Sequence, residues 1–359
     1  MTRSPSSNGT AAPGASAPAA VGLLHGAGYV GGELIRLLHD HPAATPAAVT
    51  SRTFAGEPLA EAHPTLRGQI DQAFTAPADL SLDALDAVLV AGEHGQSMHL
   101  VPDLLDAGFE GPIVDLSADF RFRDARVYPA WFDVEHPAPA LLEQAAYGLP
   151  ERPGGPASAQ LVANPGCYAT GITLALAPLA AQEQPFSVHV TALTGASGSG
   201  ATPSAATHYP TRDGNVRPYK VLAHQHAPEI QQTVGDHVDL HFVPASGPWT
   251  RGIWGTAQVD WPGPLDDDAV ADWFEAAYAD APFVRTAPGT LPSLQPAVRT
   301  PFCDLGWQRQ GDTLVVGFAL DNLLKGAASQ AVQNLNRALG WPETTGLLPA
   351  ARSAASATA

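Results

Sequence analysis

The stretch VGLLHGAGYVGGELIRLLHDHP, residues 21–42, decides the fold of this chain. A short apolar run is followed by a glycine-rich turn, and the leucines after it recur at the spacing of one helical face. The turn carries Gly26-x-Gly28-x-x-Gly31, a pattern that lets the backbone approach a pyrophosphate at the N-terminus of a helix. A tight turn without a ligand is the alternative for this motif alone. The stretch therefore predicts a dinucleotide site, with cofactor-binding residues Gly26, Gly28, Tyr29, Val30 and Gly31.

The residues about 20 positions after the glycine-rich turn indicate which dinucleotide is bound. An NAD site offers a carboxylate to the ribose 2′-hydroxyl about 20 residues after the glycines. This chain has Ser51 and Arg52 there, and no carboxylate before Glu57. A hydroxyl and a guanidinium suit a 2′-phosphate, so we expect NADP, bound by Ser51 and Arg52. The alternative for Arg52 is an ordinary solvated surface arginine.

Further strands alternate with helices along the first half of the chain. The apolar runs 87–91 and 112–116 each lead into a polar loop. Such alternation predicts an α/β fold of βαβ units with a parallel sheet, whose ligands lie at the carboxyl ends of the strands. Several side chains of ligand-binding type fall at those ends: Glu93, His94, Ser117, Asp119 and Arg121. Plain loop chemistry and helix capping are the alternative for each of them.

Length, charge and cysteine content limit the classes of protein that the chain can represent. At 359 residues it exceeds one ordinary core, so two domains are expected. A net charge of −17 disfavours nucleic acid and anionic membrane as partners. Two cysteines cannot build a disulfide framework, which favours a cytoplasmic location, and no apolar run is long enough to span a membrane. We interpret residues 1–18 as a disordered leader and 349–359 as a loose tail.

A second stretch, ANPGCYATG at residues 163–171, raises the question of nucleophilic chemistry. Asn-Pro-Gly is a turn sequence, and Cys167 begins an apolar helical run. A thiol at a helix N-terminus feels partial positive charge, which predicts a lowered pKa and an accessible thiolate. The alternative is a cysteine that serves as a small buried apolar residue.

Other polar motifs favour the nucleophile. HQHAPEI supplies His224 and His226 before a helix start, and an imidazole can take a thiol proton near pH 7. The small-residue loop TGASGSG, 194–200, can present N–H groups to a phosphate or an oxyanion. Cations for an anionic substrate are supplied by Arg212, Arg217, Lys220 and Arg251. No metal site is predicted, because no second pair of ligands at metal-binding spacing accompanies the histidines.

Taken together, these motifs resemble the N-acetyl-gamma-glutamyl-phosphate reductases, relatives of the aspartate-semialdehyde dehydrogenases. The resemblance covers roughly residues 21–348, in the family's order. It rests on GAGYVGGEL, SRTFAGEP, DLSADFRFRD, YGLPE, NPGCYATG, GASGSG, HQHAPEI, PWTRGI and DNLLKGAASQAVQNLN. One departure is visible, since the family's turn begins with a glycine where this chain has His25.

The resemblance implies a two-domain architecture and an oligomer. A Rossmann-like NADP-binding domain is expected over 19–165, completed by a returning helix in 323–348. A catalytic and dimerisation domain of α+β type with a mixed sheet is expected over 166–322, in a homodimer or homotetramer. The resemblance also implies further cofactor-binding residues, Ser197, Gly198 and Asn322, and the substrate-binding residues Arg121, Asn164, Arg217, Lys220 and Arg251.

The implied reaction is the NADPH-dependent reduction of N-acetyl-gamma-glutamyl phosphate to the semialdehyde, in arginine biosynthesis. Cys167 would form a thioester with release of phosphate, and His224 or His226 would move protons. We consider His224 first, because it ends the apolar run 221–223, which we expect to be a strand. Three alternatives remain: a reductase of acyl phosphates on a carrier protein, as in lysine synthesis, an aspartate-semialdehyde dehydrogenase, and a dinucleotide sensor without catalysis.

Overall fold

The structure is a computed structural model that describes residues 17–152 and 159–349. Almost all of the expected leader and tail therefore lies outside the described residues. Within them, the strands form two sheets, one of six and one of seven strands. The expected α/β architecture with a parallel sheet and a second, mixed sheet is confirmed.

The first sheet is parallel throughout and follows the order β2-β1-β3-β4-β6-β5. Its strands are β1 (Ala19–Leu24), β2 (Ala44–Val49), β3 (Ala87–Val90), β4 (Ile113–Asp115), β5 (Ala146–Tyr147) and β6 (Leu161–Ala163). The helices between them are α1 (Tyr29–His39), α2 (Leu59–Ala62), α3 (Ser97–Asp106) and α4 (Val127–Phe132), with 3₁₀ turns at Pro64–Leu66, Pro77–Asp79, Leu82–Ala84 and Pro139–Leu141. The carboxyl ends of all six strands share one edge, where ligand-binding loops gather.

The second sheet is mixed and follows the order β11-β12-β13-β10-β7-β9-β8. Its strands are β7 (Phe186–Thr194), β8 (Arg217–Pro218), β9 (Val238–Ser246), β10 (Ile253–Asp260), β11 (Val284–Pro288), β12 (Cys303–Gln310) and β13 (Thr313–Leu320). The other elements here are α5 (Cys167–Ala180), α6 (Tyr209–Arg212), α7 (Ala227–Val234), α8 (Asp267–Tyr278) and the 3₁₀ turn Ala196–Ser199. Strands β7 and β10 alternate buried and more exposed residues, as expected for a sheet covered on one face.

Helix α5 is buried on nearly every side, which explains why its sequence is apolar all round. It packs on the second sheet through β13 and β10, and against α7 and α8 on its other side. A π-helical turn, Leu324–Ala328, also packs against it. The first residue of α5 is thereby held between the two halves of the molecule.

The C-terminal helix α9 (Ser329–Ala338) returns to the first sheet. Val332 and Leu335 are buried in the same core as Val21 and Leu34. Our proposed domain limits, 19–165 with 323–348 and 166–322, follow this return of the chain.

The sequence misjudged one local segment. Residues 221–223 do not form a strand, because Lys220 and Leu222 both adopt positive φ, 44° and 57°. The backbone turns sharply there, so the reason for placing His224 ahead of His226 is removed.

No helix among residues 17–152 and 159–349 combines the length and apolarity that crossing a bilayer requires.

Candidate active site

The glycine-rich turn has the geometry that a pyrophosphate needs. A Cβ at Gly31 would collide with the carbonyl oxygen of Gly26, so α1 can approach β1 only with glycine there. A Cβ at Gly28 would meet nothing within 4 Å, and Gly28 is the N-cap of α1 without a side-chain cap. The N-terminus of α1, with Tyr29 and Val30, thus faces open space. These features are those through which a helix N-terminus binds an anion.

His25 and Arg52 lie together beside this turn. His25 adopts φ 60° and its N–H donates to Thr50 Oγ1 at 3.1 Å. Burial, then the nearby charge of Arg52, lower the pKa of His25, while Glu93 opposes them. Ser51 is buried and its Oγ accepts a hydrogen bond from the Phe54 N–H, whereas Arg52 is exposed. Arg52 is therefore the accessible cation at the end of β2.

Cys167 begins α5 directly after the Asn-Pro-Gly turn. Gly166 is the N-cap of α5, and its N–H donates to Glu229 Oε1 at 2.8 Å. A Cβ on Gly166 would collide with the imidazole of His226 and the guanidinium of Arg121. The turn, the base and the cation therefore pack tightly beside the thiol, and only glycine fits between them.

The thiol of Cys167 does not have the lowered pKa that its helical position predicts. Burial raises the pKa to about 11, although Arg121 and the backbone N–H groups of Cys167 and Tyr168 act in the opposite direction. The helix-start effect is therefore present but outweighed. Cys167 is nevertheless partly accessible. The thiol is protonated at neutral pH and needs a base.

The two histidines occupy different positions. The ring of His224 packs edge to face against Tyr168, Tyr219 and Phe242, and its Nδ1 accepts the N–H of His226 at 3.1 Å. His226 is the N-cap of α7, and its Nε2 lies against Gly166, beside Cys167. Its Nδ1 is buried without a hydrogen-bond partner among the described residues. His226 is thus the imidazole next to the thiol, and His224 supports it.

Both imidazoles are neutral at pH 7. Burial, followed by the charge of Lys220, lowers the pKa of His224 to about 4. Burial, followed by His224 and Arg121, lowers the pKa of His226 well below its usual value. A neutral His226 with its proton on Nδ1 leaves Nε2 free to accept the thiol proton.

Two predicted substrate ligands, Arg121 and Asn164, make hydrogen bonds within the protein. Arg121 is buried, and its Nε donates to the carbonyl of Asn164 and its Nη2 to that of Leu116, both at 2.8 Å. Its Nη1 pairs with Glu229 at 3.2 Å. The Asn164 side chain is also engaged, since its Oδ1 accepts from Asn334 at 2.9 Å and its Nδ2 donates to the carbonyl of Ala327. Their donors shape the turn before Cys167.

Arg251 is likewise not a free substrate cation. Its Nε and Nη2 donate to the two carboxylate oxygens of Asp321 at 3.0 Å, and its Nη1 pairs with Glu33 of α1. The Asp321 side chain is fully buried, and that of Arg251 is 11% exposed. Arg251 therefore bridges the two halves of the molecule, and its role as a substrate ligand stays a prediction.

Replacing Arg251 by methionine is expected to lower the free energy of unfolding by about 3–5 kcal/mol, since it leaves buried Asp321 unpaired. The matched control is Arg285→Met, because the Arg285 pair with Asp304 is more exposed and should contribute about 1 kcal/mol or less. Urea titration of both variants measures the difference. Equal small losses, with a raised KM for the substrate in Arg251→Met alone, would restore the role as a substrate ligand.

The remaining predicted residues divide into two groups. Ser197 and Asn322 are in contact, since Asn322 Nδ2 donates to Ser197 Oγ at 3.0 Å, and Gly198 adjoins them. Arg217 on β8 and Lys220 are exposed, and Lys220 Nζ donates to Gln225 Oε1 at 2.7 Å. The structure therefore places a small-residue loop beside Asn322 and leaves Arg217 and Lys220 accessible.

Glu229 is the central residue that the sequence did not single out. Its side chain is fully buried, and its Oε1 accepts from both the Tyr147 hydroxyl and the Gly166 N–H at 2.8 Å. With Arg121 on the other oxygen, it fixes the turn that presents Cys167. The acidic residue after a proline in HQHAPEI looks like ordinary helix-start chemistry, so the sequence offers no sign of this role.

The glycine-rich turn follows the first strand of the parallel sheet, and Cys167 and the two histidines lie at or just before the starts of helices that pack on the second sheet. Together they are typical of an oxidoreductase with a dinucleotide-binding part and a catalytic part. The sequence model of the NAD-binding domain of semialdehyde dehydrogenases matches residues 20–153. The model of their dimerisation domain matches residues 167–322.

Curated relatives give the particular family. N-acetyl-gamma-glutamyl-phosphate reductase of Methanothrix thermoacetophila is 40% identical over 338 residues, covering 91% of this chain and 97% of the relative. The enzymes of that name from Methanopyrus kandleri and Halorhodospira halophila are each 41% identical, with the same coverage. The chain belongs to the N-acetyl-gamma-glutamyl-phosphate reductases of the semialdehyde dehydrogenase family.

Solved structures support the fold. Aspartate semialdehyde dehydrogenase II from Vibrio cholerae matches with a TM-score of 0.67 at 15% identity, covering 90% of this chain and 98% of that one. An aspartate semialdehyde dehydrogenase from Candida albicans, solved with NADP, matches with a TM-score of 0.64 at 13% identity, covering 90% of this chain and 99% of that one. At these identities the likeness concerns the fold.

Proposed function

We propose that the protein reduces N-acetyl-gamma-glutamyl phosphate to N-acetyl-glutamate semialdehyde, with release of phosphate, in arginine biosynthesis. The observation that carries this proposal is the contact of His226 and Arg121 with Gly166, directly beside Cys167. A protonated thiol, a neutral imidazole and a buried cation in that order suit attack on an acyl carbon. The name of these relatives supplies the substrate class.

The reaction begins with proton transfer from Cys167 to Nε2 of His226. The sulfur then forms a bond to the acyl carbon, and the bond from that carbon to the phosphate oxygen breaks, so phosphate leaves and a thioester remains. After reduction of the thioester to a thiohemiacetal, the C–S bond breaks and the semialdehyde is released. His226 passes the proton that it took from Cys167 to the departing phosphate and is neutral again. It then accepts the hydroxyl proton of the thiohemiacetal, which comes from solvent, as the sulfur leaves, and returns that proton to the thiolate.

The cofactor of this proposal is NADPH. The turn at Gly28 and Gly31 would hold its pyrophosphate, and Arg52 its 2′-phosphate, because these positions offer open helix N–H groups and an accessible cation. When bound, the cofactor supplies the hydride. The loop with Ser197 and Gly198, beside Asn322, is proposed to line its other end.

Replacing Arg52 by alanine is expected to raise KM for NADPH by about ten- to a hundredfold, with little change for NADH. The reason is that only NADPH carries the 2′-phosphate that a charged hydrogen bond would contact. Initial rates with each cofactor measure the effect, and Arg67→Ala, a second exposed arginine of the same domain, is the control. Equal use of both cofactors by the unaltered protein would show that the residues at the end of β2 do not bind the 2′-phosphate.

Free N-acetyl-glutamyl phosphate is the proposed substrate, and a carrier-linked acyl phosphate is the competing one. A net charge of −17 opposes docking of an acidic carrier protein. The accessible cations Arg217 and Lys220 suit the carboxylate and phosphate of a small molecule.

The test measures NADPH consumption with free N-acetyl-glutamyl phosphate, aspartyl phosphate and a carrier-linked acyl phosphate, at low and high salt. We expect efficient turnover of the free acetylated substrate alone. Turnover confined to the carrier-linked form would assign the protein to carrier-based synthesis, and preference for aspartyl phosphate would assign it the activity of an aspartate-semialdehyde dehydrogenase.

The match to a dimerisation domain supports a homodimer or homotetramer.

A further inference from the structure

Few of the cations near Cys167 are free to bind an anion. Arg121 and Arg251, two of the cations expected to bind the substrate, direct their donors to protein acceptors. Lys220 and Arg217 remain exposed. A phosphate group that leaves from the acyl carbon needs hydrogen-bond donors near the sulfur, and these two cations come from a single segment of the chain.

His94 is a donor contributed by a loop of the first sheet. It lies in the loop between β3 and α3, at the carboxyl edge of the first sheet, and its side chain is exposed. Its Nδ1 accepts the backbone N–H of Ala118 at 2.9 Å. Because that contact requires an unprotonated Nδ1, the neutral ring must carry its proton on Nε2. The hydrogen bond fixes the ring and leaves an Nε2–H donor available.

The surroundings of His94 are those of an anion site. Ala118 belongs to the turn that carries Arg121, the cation beside Cys167. Burial around the ring, then the charges of Arg121 and Lys220, lower the pKa of His94 to about 4, although the residue as a whole is exposed. His94 in turn lies within electrostatic reach of His224 and His226. An exposed residue among these charged and titratable groups is a candidate to bind an anion.

We propose that the Nε2–H of His94 donates a hydrogen bond to the phosphate of the acyl phosphate, opposite Lys220, and so holds the leaving group in line with Cys167. This inference rests on the proposed function. It adds a phosphate-binding residue from the first sheet, so that the leaving group is bound by residues of both halves of the molecule, His94 and Lys220.

Two substitutions separate the donor from its anchor. His94→Asn keeps an oxygen that can accept the Ala118 N–H but loses the distal donor, whereas His94→Gln keeps a distal N–H. We expect His94→Asn to raise the phosphate concentration that half-protects Cys167 from iodoacetamide by about ten- to a hundredfold. His94→Gln should recover part of that loss. His99→Asn, an exposed histidine of α3, should behave as the unaltered protein.

Two further measurements identify which phosphate is bound. Acylation of Cys167 by p-nitrophenyl acetate, which has no phosphate, should stay within about twofold in His94→Asn, as should the Kd for NADPH. A raised Kd for NADPH with unchanged phosphate protection would assign the donor to the cofactor's pyrophosphate and overturn the proposal. Unchanged protection with an unchanged Kd would overturn it also.

The protection assay needs no turnover, so it is independent of the proposed reaction. If the unaltered protein failed to reduce acyl phosphates but showed His94-dependent protection by phosphate, the proposed function alone would fall. If it reduced them while His94→Asn left protection unchanged, only the role of His94 would fall. Circular dichroism and thermal melting of both variants confirm that the compared proteins are folded.

Discussion

Replacing Cys167 by alanine is expected to lower turnover of the acyl phosphate by on the order of 10⁴- to 10⁶-fold, as loss of a nucleophile does in other covalent catalysts. No other described thiol can substitute. Cys303, on β12, is fully buried, and burial raises its pKa beyond that of Cys167. The matched control, Cys303→Ala, should therefore keep most of the activity.

The thioester gives this prediction a direct readout. Mixing the unaltered protein with acyl phosphate in the absence of NADPH should release one phosphate per Cys167 in a rapid first phase, and mass spectrometry should locate the acyl group on that residue. Cys167→Ala should show neither. Ordinary turnover by Cys167→Ala, or an acyl group on another side chain, would remove the thioester from the mechanism.

Several elements of both halves were predictable because local pattern decides them. The strand, turn and helix of β1 and α1, the strands β3 and β4, and the helix after Asn-Pro-Gly all lie within a few residues of their predicted positions. Each has an apolar period or turn chemistry that no distant contact overrides. The run 221–223 shows the limit, since its residues favour a strand while the positive φ values of Lys220 and Leu222 impose a turn.

The roles of the charged residues were not predictable in the same way. An arginine within a family motif is equally compatible with a substrate and with a distant carboxylate. Arg251 pairs with Glu33 and Asp321, which are 218 and 70 residues away in the sequence. Arg121 pairs with Glu229, which is 108 residues away. The pKa of Cys167 has the same origin: the helix start is local and was anticipated, but burial is a tertiary property and decides the sign.

Replacing His226 by asparagine is expected to lower kcat by about two to four orders of magnitude, and replacing His224 by asparagine by less. The difference between the two expected effects follows from the positions of the rings. His226 Nε2 lies against Gly166, beside Cys167. His224 instead packs among the aromatic rings of Tyr168, Tyr219 and Phe242. Asparagine is a favoured N-cap residue, so His226→Asn should preserve the start of α7.

The pH profile and chemical rescue distinguish a base from a support. Since burial lowers the pKa of His226 well below its usual 6.5, the base stays neutral as pH falls through 6.5, and the acid limb of kcat/KM should lie below that value. Added imidazole should restore part of the activity of His226→Gly, because it can occupy the emptied space beside Gly166, and should not restore His224→Gly. An acid limb at or above pH 6.5 would contradict the lowered pKa of both imidazoles, whereas rescue of His224→Gly alone would transfer the proton to His224. The remaining task of His226 would then be to fill the space beside Gly166, where its ring holds the turn before Cys167 in place.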